Sequence, residues 1–177
     1  MEKPKTNQQR GLTLVESMIA LAITAVTVGT IAPSLGKLQD RRRLEAATAQ
    51  LETELQYARS LAVARNESVR FSFQADASNS CYVIHTGSAN ACRCISGVTS
   101  CTGKAQALRT VRFDAGSRLR GTSNSSSFLF DAVKGTVTPT ATLEMRNPRG
   151  DALRLVVNIM GRVRSCTPTG LPGYKAC

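Results

Sequence analysis

The chain opens on ten polar residues, MEKPKTNQQR, and then runs from Leu12 to Leu35 with Glu16 as its one charge. A helix over those 24 residues reaches ~36 Å at ~1.5 Å per residue, enough to cross a hydrocarbon core of ~30 Å. A secretory signal peptide has a shorter apolar region of about 7 to 15 residues ending at a small-residue cleavage site, so the length favours a membrane span. Lys3, Lys5 and Arg10 precede the run and are expected to stay cytoplasmic, which sends the bulk of the chain to the far side. A carboxylate in hydrocarbon costs on the order of 2.5–3.5 kcal/mol unless it finds a partner, which marks Glu16 as functional.

Beyond the run, Leu44, Leu51, Leu55, Ala58 and Ala62 recur at helical spacing, while Glu45, Glu52, Gln56 and Arg59 follow one residue later on another face. The helix is expected to continue to Asn66, about 80 Å from Leu12 at ~1.5 Å per residue, with its second half laid against a globular domain. Gly29 and Pro33 mark where it can bend or melt. Arg41, Arg42 and Arg43 read as a solvated helix face, with contact to lipid phosphate as the alternative. After Asn66 the period changes: 68–74, 82–86, 108–113, 128–130, 141–146 and 153–159 read as strands between Gly, Ser, Asn and Pro clusters. All five phenylalanines, Phe71, Phe73, Phe113, Phe128 and Phe130, fall in this half and read as core. A ligand-stacking face for the i, i+2 pairs is the weaker alternative. Residues 121–127 (GTSNSSS) have the composition of a flexible loop. The expected architecture is α+β: a helix over 12–66, with 12–35 in the membrane, then an antiparallel β-rich domain over 67–177.

Charge and cysteine content sharpen this picture. The 177 residues carry 23 Lys and Arg against 12 Asp and Glu, a formal net charge of +11, as expected of a protein that meets polyanions. The charge is uneven: residues 1–100 hold 11 basic and 8 acidic side chains, 101–177 hold 12 and 4. There is no Trp and one His; His85 has no nucleophile and acid arranged around it in sequence, so no enzyme, metal site or cofactor is expected. Six cysteines beyond a membrane point to disulfides. Cys166 with Cys177 is the expected bond, and Cys81, Cys92, Cys94 and Cys101 are expected to form two more in an order the spacing leaves open. Cys92-Arg93-Cys94 lacks the two to four intervening residues usual for zinc. In the basic half, Gly161-Arg162-Val163-Arg164 follows a strong strand. Arg162 and Arg164 share a side if the segment is extended and form a fork for phosphate, although spacing alone serves a solvated strand end equally well.

The segment Arg10-Gly11-Leu12-Thr13-Leu14-Val15-Glu16-Ser17-Met18 resembles the processing site of type IV prepilins and pseudopilins. The resemblance implies that a prepilin peptidase cuts after Gly11, ending a leader over 1–11, and methylates Leu12, where most members have Phe. Glu16, then the fifth residue, would pair with the N-terminal amine of a neighbouring subunit. Pro33 resembles the helix-breaking proline of major pilins. With the helix, the strands and Gly-Arg-x-Arg before a cysteine-bounded tail, the chain resembles the GspH/FimT family, FimT-like minor pilins above all. That implies a type IV pilin fold, anchorage in the bacterial inner membrane with the β-rich domain in the periplasm, and passage into a pilus or pseudopilus with other pilin subunits. It also implies DNA binding in natural transformation, through Gly161, Arg162 and Arg164. Lys175, Arg149 and Arg154 are further candidates by charge and proximity in sequence only. Sequence-independent capture of the phosphate backbone, double-stranded DNA favoured, is expected, because aromatics are 5% of the chain and no recognition-helix motif stands in its basic half. The alternative is a GspH-like pseudopilin of a type II secretion machine, or a pilin that primes assembly without touching DNA.

Overall fold

A computed structural model describes residues 13–75, 79–95, 98–113 and 115–177. It divides into two units, Met1–Leu38 and Gln39–Cys177. Helix α1 spans Leu14–Arg65. Thr13 caps its start, the backbone N–H of Glu16 donating to the Thr13 hydroxyl at 3.3 Å, and Glu16 lies in the first turn, where a carboxylate meets the positive end of the helix dipole. In the first unit the apolar side chains from Leu14 to Val28 are exposed, and α1 is long and apolar enough there to cross a membrane. Gly29 and Pro33 lie inside the helical run.

In the second unit the stripe foreseen from spacing is the buried one: Leu44, Leu51, Leu55, Ala58 and Ala62 are all essentially inaccessible. The helix stops at Arg65 because Asn66 takes a left-handed conformation with φ 49°. The Glu67 N–H then reaches back to the Ala62 carbonyl at 3.1 Å, and that of Asn66 to Val63 at 3.3 Å, a Schellman closure of the last turn.

Among the described residues eleven strands follow: β1 (Val69–Ala75), β2 (Ser80–Thr86), β3 (Cys92–Ile95), β4 (Val98–Cys101), β5 (Ala107–Phe113), β6 (Arg120–Ser123), β7 (Ser127–Phe130), β8 (Val137–Thr138), β9 (Ala141–Arg146), β10 (Ala152–Val157) and β11 (Val163–Cys166). They form a five-stranded sheet in the order β5-β2-β1-β7-β8, a four-stranded sheet in the order β11-β10-β9-β6 and a two-stranded ribbon of β3 and β4. Every pairing between these strands is antiparallel. One core joins the helix stripe to both larger sheets, through Phe71, Phe128 and Phe130 on one and Leu143, Leu153 and Leu155 on the other. Register places Phe71 between Ile84 and Phe128, and its ring lies 5.0 Å from Tyr82 and 4.9 Å from Phe128. All five phenylalanines are core, so none is left to stack on a ligand.

Two expectations need correction. Residues 121–127 are not one loop: Gly121 to Ser123 belong to β6 and Ser127 to β7. The segment lacks apolar side chains, but a Cβ at Gly121 would sit 2.9 Å from the Phe73 ring and 3.2 Å from the Met145 sulfur, so this glycine lets a strand pass tightly over the core. The tail after Ile159 is not merely a strand end, since Val163–Cys166 pairs with Arg154–Val157 as a strand of its own. Disulfides join Cys166 to Cys177, Cys81 to Cys94 and Cys92 to Cys101; the last is a cross-strand link of the β3–β4 ribbon.

His85 is fully buried in β2. Its Nδ1 donates to the Thr86 carbonyl at 2.8 Å, which fixes the tautomer, and its Nε2 accepts from the Ser72 hydroxyl at 2.8 Å. Burial holds its pKa below the ordinary 6.5. The folded state therefore resists protonation that the unfolded chain accepts, so the stability from neutral His85 is complete above about pH 6.5 and is lost as the pH falls below it. Urea midpoints of the full chain in detergent micelles should decline from pH 7.5 to 5.0, with a smaller decline in His85→Asn.

Candidate nucleic-acid interface

The β10–β11 hairpin carries the Gly-Arg-x-Arg segment. Its turn is closed by the Gly161 N–H to the Asn158 carbonyl at 2.9 Å and the Asn158 N–H to the Arg162 carbonyl at 3.1 Å. The Asn158 side chain adds a bond from the Arg162 N–H at 2.9 Å. Gly161 takes φ +72°, the left-handed residue that ends a three-residue hairpin loop. A second turn lies against it. There Asp131 accepts the N–H groups of Val133 at 3.0 Å and Lys134 at 2.8 Å, and Gly135, also left-handed at φ +61°, donates to the Asp131 carbonyl at 3.0 Å. Those two N–H groups hold the Asp131 carboxyl below its usual pKa.

Arg59 of α1 clasps the two turns together. Its Nε donates to the Gly135 carbonyl at 3.0 Å. A Cβ on Gly135 would lie 3.0 Å from that Nε, and a Cβ on Gly161 would lie 2.8 Å from it and collide with the Gly135 carbonyl oxygen. Both glycines are thus required twice, by backbone conformation and by space.

The result is an open groove of about 930 Å³ between α1 and the two turns, lined by Thr53, Gln56, Tyr57, Arg59, Ser60, Val63, Val133, Lys134, Gly161, Arg162, Val163 and Arg164. Among the described residues four cations and no carboxylate line it. Arg162, Arg164 and Lys134 are exposed, and among the described residues none of the three is in an ion pair. Such an arrangement can hold phosphate groups of a polymer by charge-assisted hydrogen bonds without reading bases.

The remaining candidates lie elsewhere. Arg149 donates from Nε to Asp40 at 2.9 Å, on a carboxylate that is 3% exposed and also meets Arg118 at 3.6 Å. Arg154 donates to Glu144 at 2.6 Å, and Arg146 meets the other oxygen of that carboxylate at 2.6 Å. Burial works against the Glu144 charge, but the two arginines outweigh it and its pKa is held below the usual range. Arg149 and Arg154 each share one carboxylate with a second arginine, so both clusters keep a net positive charge, and neither arginine lines the groove. Lys175 is exposed on the tail, where its carbonyl accepts from the Thr167 N–H at 2.8 Å; it does not line the groove either. Gly11 and Leu12 lie outside the described residues. Sequence reasoning missed Arg59, Lys134 and Tyr57. The Lys134-Gly135 pair, a cation beside a turn glycine, was the one available signal.

Replacing Gly161 with Ala should lower stability by ~1–3 kcal/mol, the cost of a side chain in the left-handed region, before the collision with Gly135 is counted. Thermal melts of the full chain should show more than that loss, with the conformational cost alone for Gly170→Ala, where φ is +74° but nothing lies within 4 Å of the added carbon.

In comparison with known proteins, the family model "Type II transport protein GspH" matches residues 47–161, and that of the prokaryotic N-terminal methylation motif matches residues 6–32. No curated protein sequence is significantly similar to the chain. Among solved structures, the type IV minor pilin FimU of Pseudomonas aeruginosa PAO1 in space group P21 is 21% identical, with a TM-score of 0.53, over 77% of this chain and 98% of that one. Its P65 form gives a TM-score of 0.50 at 21% identity over 74% and 98%. The minor pseudopilin EpsH of the Vibrio cholerae type 2 secretion system is 13% identical, TM-score 0.47, over 72% and 98%. The likeness to FimU establishes the type IV pilin fold. The methylation motif and the apolar start of α1 place the chain at the inner membrane with its β-rich unit outside, as a subunit processed by prepilin peptidase and assembled with other pilins. Since residues 47–161 are well over half of the 177, the chain belongs to the GspH family and is a minor pilin or pseudopilin.

Proposed function

We propose that this protein is a FimT-type minor pilin that captures DNA by its phosphate backbone for uptake in natural transformation. What supports the reading is the groove beside the β10–β11 hairpin, where Arg59, Lys134, Arg162 and Arg164 converge with no carboxylate among them. Arg162 and Arg164 supply the guanidinium fork, Lys134 extends the field, and Gly161 and Gly135 hold the turns against Arg59. Four cations give modest affinity for one subunit. Several subunits in a filament raise it through effective concentration where one DNA molecule reaches more than one of them. A GspH-like secretion pseudopilin that does not bind DNA is the second reading, favoured by the family model over 47–161.

Assembly rests on the other end of the chain. Cleavage after Gly11 and methylation of Leu12 would free an N-terminus four residues from Glu16, whose carboxylate pairs with the amine of a neighbour in an apolar bundle.

Fluorescence anisotropy with labelled duplex, on the full chain in detergent micelles, should give log K falling with log salt at a slope of about −3 to −4 for roughly four neutralised phosphates. Arg162→Gln/Arg164→Gln should bring the slope towards about −2 and weaken binding at low salt, with an unchanged melt. A duplex bound equally by both proteins would remove the site, and no binding at low salt would leave the secretion reading. In the source cells, Glu16→Ala should leave the membrane level of the protein unchanged while depleting it from sheared filaments.

A further inference from the structure

The distribution of exposed apolar side chains around the groove bears on what form of DNA it takes. Within the Gln39–Cys177 unit the large exposed apolar residues are few among the described residues. Tyr57, Val63 and Val133 line the groove, Val156, Ile159 and Met160 belong to the hairpin beside it, and Val98 belongs to the β3–β4 ribbon. Val156 is the cross-strand partner of Arg164, and Ile159 and Met160 stand at 61% and 57% exposure immediately before Gly161. The groove itself therefore brings cations together with the exposed apolar side chains of Tyr57, Val63 and Val133.

Tyr57 is the informative member. Phe71, Phe73, Phe113, Phe128, Phe130 and Tyr82 are buried, whereas Tyr57 is 49% exposed. It lines the cationic groove and also a second hollow of about 560 Å³ bordered by Gln50, Thr53, Glu54, Leu108 and Arg109. The Glu54 carboxylate in that hollow is already committed, accepting from the Tyr82 hydroxyl at 2.9 Å, Arg109 at 3.1 Å and Gln50 at 3.1 Å. The ring is thus a ridge with phosphate-binding cations on one side and a largely charge-balanced hollow on the other.

We infer that this groove takes an unpaired stretch of DNA, its phosphates on Arg59, Lys134, Arg162 and Arg164 and a base against the Tyr57 ring. The inference rests on the DNA-binding reading above and deepens it. A duplex keeps its bases stacked inside and presents a convex charged backbone, which serves the cations and leaves the apolar residues in water. A single strand presents phosphates and base faces together, the combination that a positively charged groove with an exposed aromatic ring recognises. The volume agrees: about 930 Å³ lies within the roughly 300–1,000 Å³ of small-ligand sites, room for a few nucleotides. This departs from the expectation that double-stranded DNA is favoured, because one ring in the right place suffices for stacking.

The test compares four 5′-labelled probes on the full chain in detergent micelles at one salt concentration: a twelve-residue oligothymidylate, the same backbone with abasic sites throughout, a blunt twelve-base-pair duplex, and that duplex with a six-nucleotide overhang. The expected order is oligothymidylate and overhang duplex tightest, with blunt duplex and abasic strand weaker. Tyr57→Ala should weaken oligothymidylate by about 5- to 100-fold, the range for loss of one base-stacking ring, while leaving blunt duplex and the salt slope unchanged; Tyr57→Phe should retain binding. Equal binding of abasic strand and oligothymidylate, or no effect of Tyr57→Ala, overturns the inference while blunt duplex still bound through Arg162 and Arg164 leaves the DNA reading standing. Binding of none of the four overturns both. Tyr57-dependent binding of polyglutamate or phosphatidylglycerol vesicles, without oligothymidylate binding, assigns the surface to a protein or a membrane and overturns it too.

Discussion

Burial of one stripe of α1 is the constraint from which the rest of the globular unit follows. Leu44, Leu51, Leu55, Ala58 and Ala62 are inaccessible to solvent and touch residues of both larger sheets. Each leucine removed from water is worth roughly 1.5–3 kcal/mol, so the three together outweigh any ion pair on the surface. That burial fixes the rotation of the helix about its axis. With Ala58 and Ala62 turned inward, Arg59 is held on the flank where the turns at Gly135 and Gly161 arrive. The clasp is a by-product of hydrophobic packing, and the position of the cations is inherited from it.

Polar groups inside this unit are handled by pairing. Glu54 is met by Tyr82, Arg109 and Gln50, Asp40 by Arg149 and Arg118, and His85 by Ser72 and the Thr86 carbonyl. Burial, reinforced by the Glu54 charge, pushes the Tyr82 phenol well above its ordinary pKa, so it stays a hydrogen-bond donor at any physiological pH. Some arginines are therefore engaged by buried carboxylates while others stand exposed on the groove, a distinction that net charge does not express.

Much of the fold was legible because periodicity carries it. The helix stripe and the strands at 69–75, 127–130 and 141–146 alternate or recur as their geometry demands. The strand at Arg120–Ser123 was not, since it is held by what passes over it, Phe73 and Met145, and not by apolar side chains of its own. The site was half legible. Gly161, Arg162 and Arg164 are contiguous, whereas Arg59 lies 76 residues from Gly135 and reads in sequence as one more polar position on an amphipathic helix. The ion pairs of Arg149 and Arg154 were not legible for the complementary reason: their partners Asp40 and Glu144 lie 109 and 10 residues away, and charge counts do not reveal pairing.

Strand β11 lies at the edge of the four-stranded sheet, with only β10 beside it. An edge strand offers unpaired backbone groups to any other strand that approaches, and long charged side chains are the usual guard against it. Arg162 and Arg164 stand at that edge, on a hairpin whose tip carries exposed Ile159 and Met160. The guanidiniums thus repel a second copy of the same edge while attracting a polyanion. The charge that guards the edge is the same charge that lines the groove, and neither surface can be altered at this strand without moving the other.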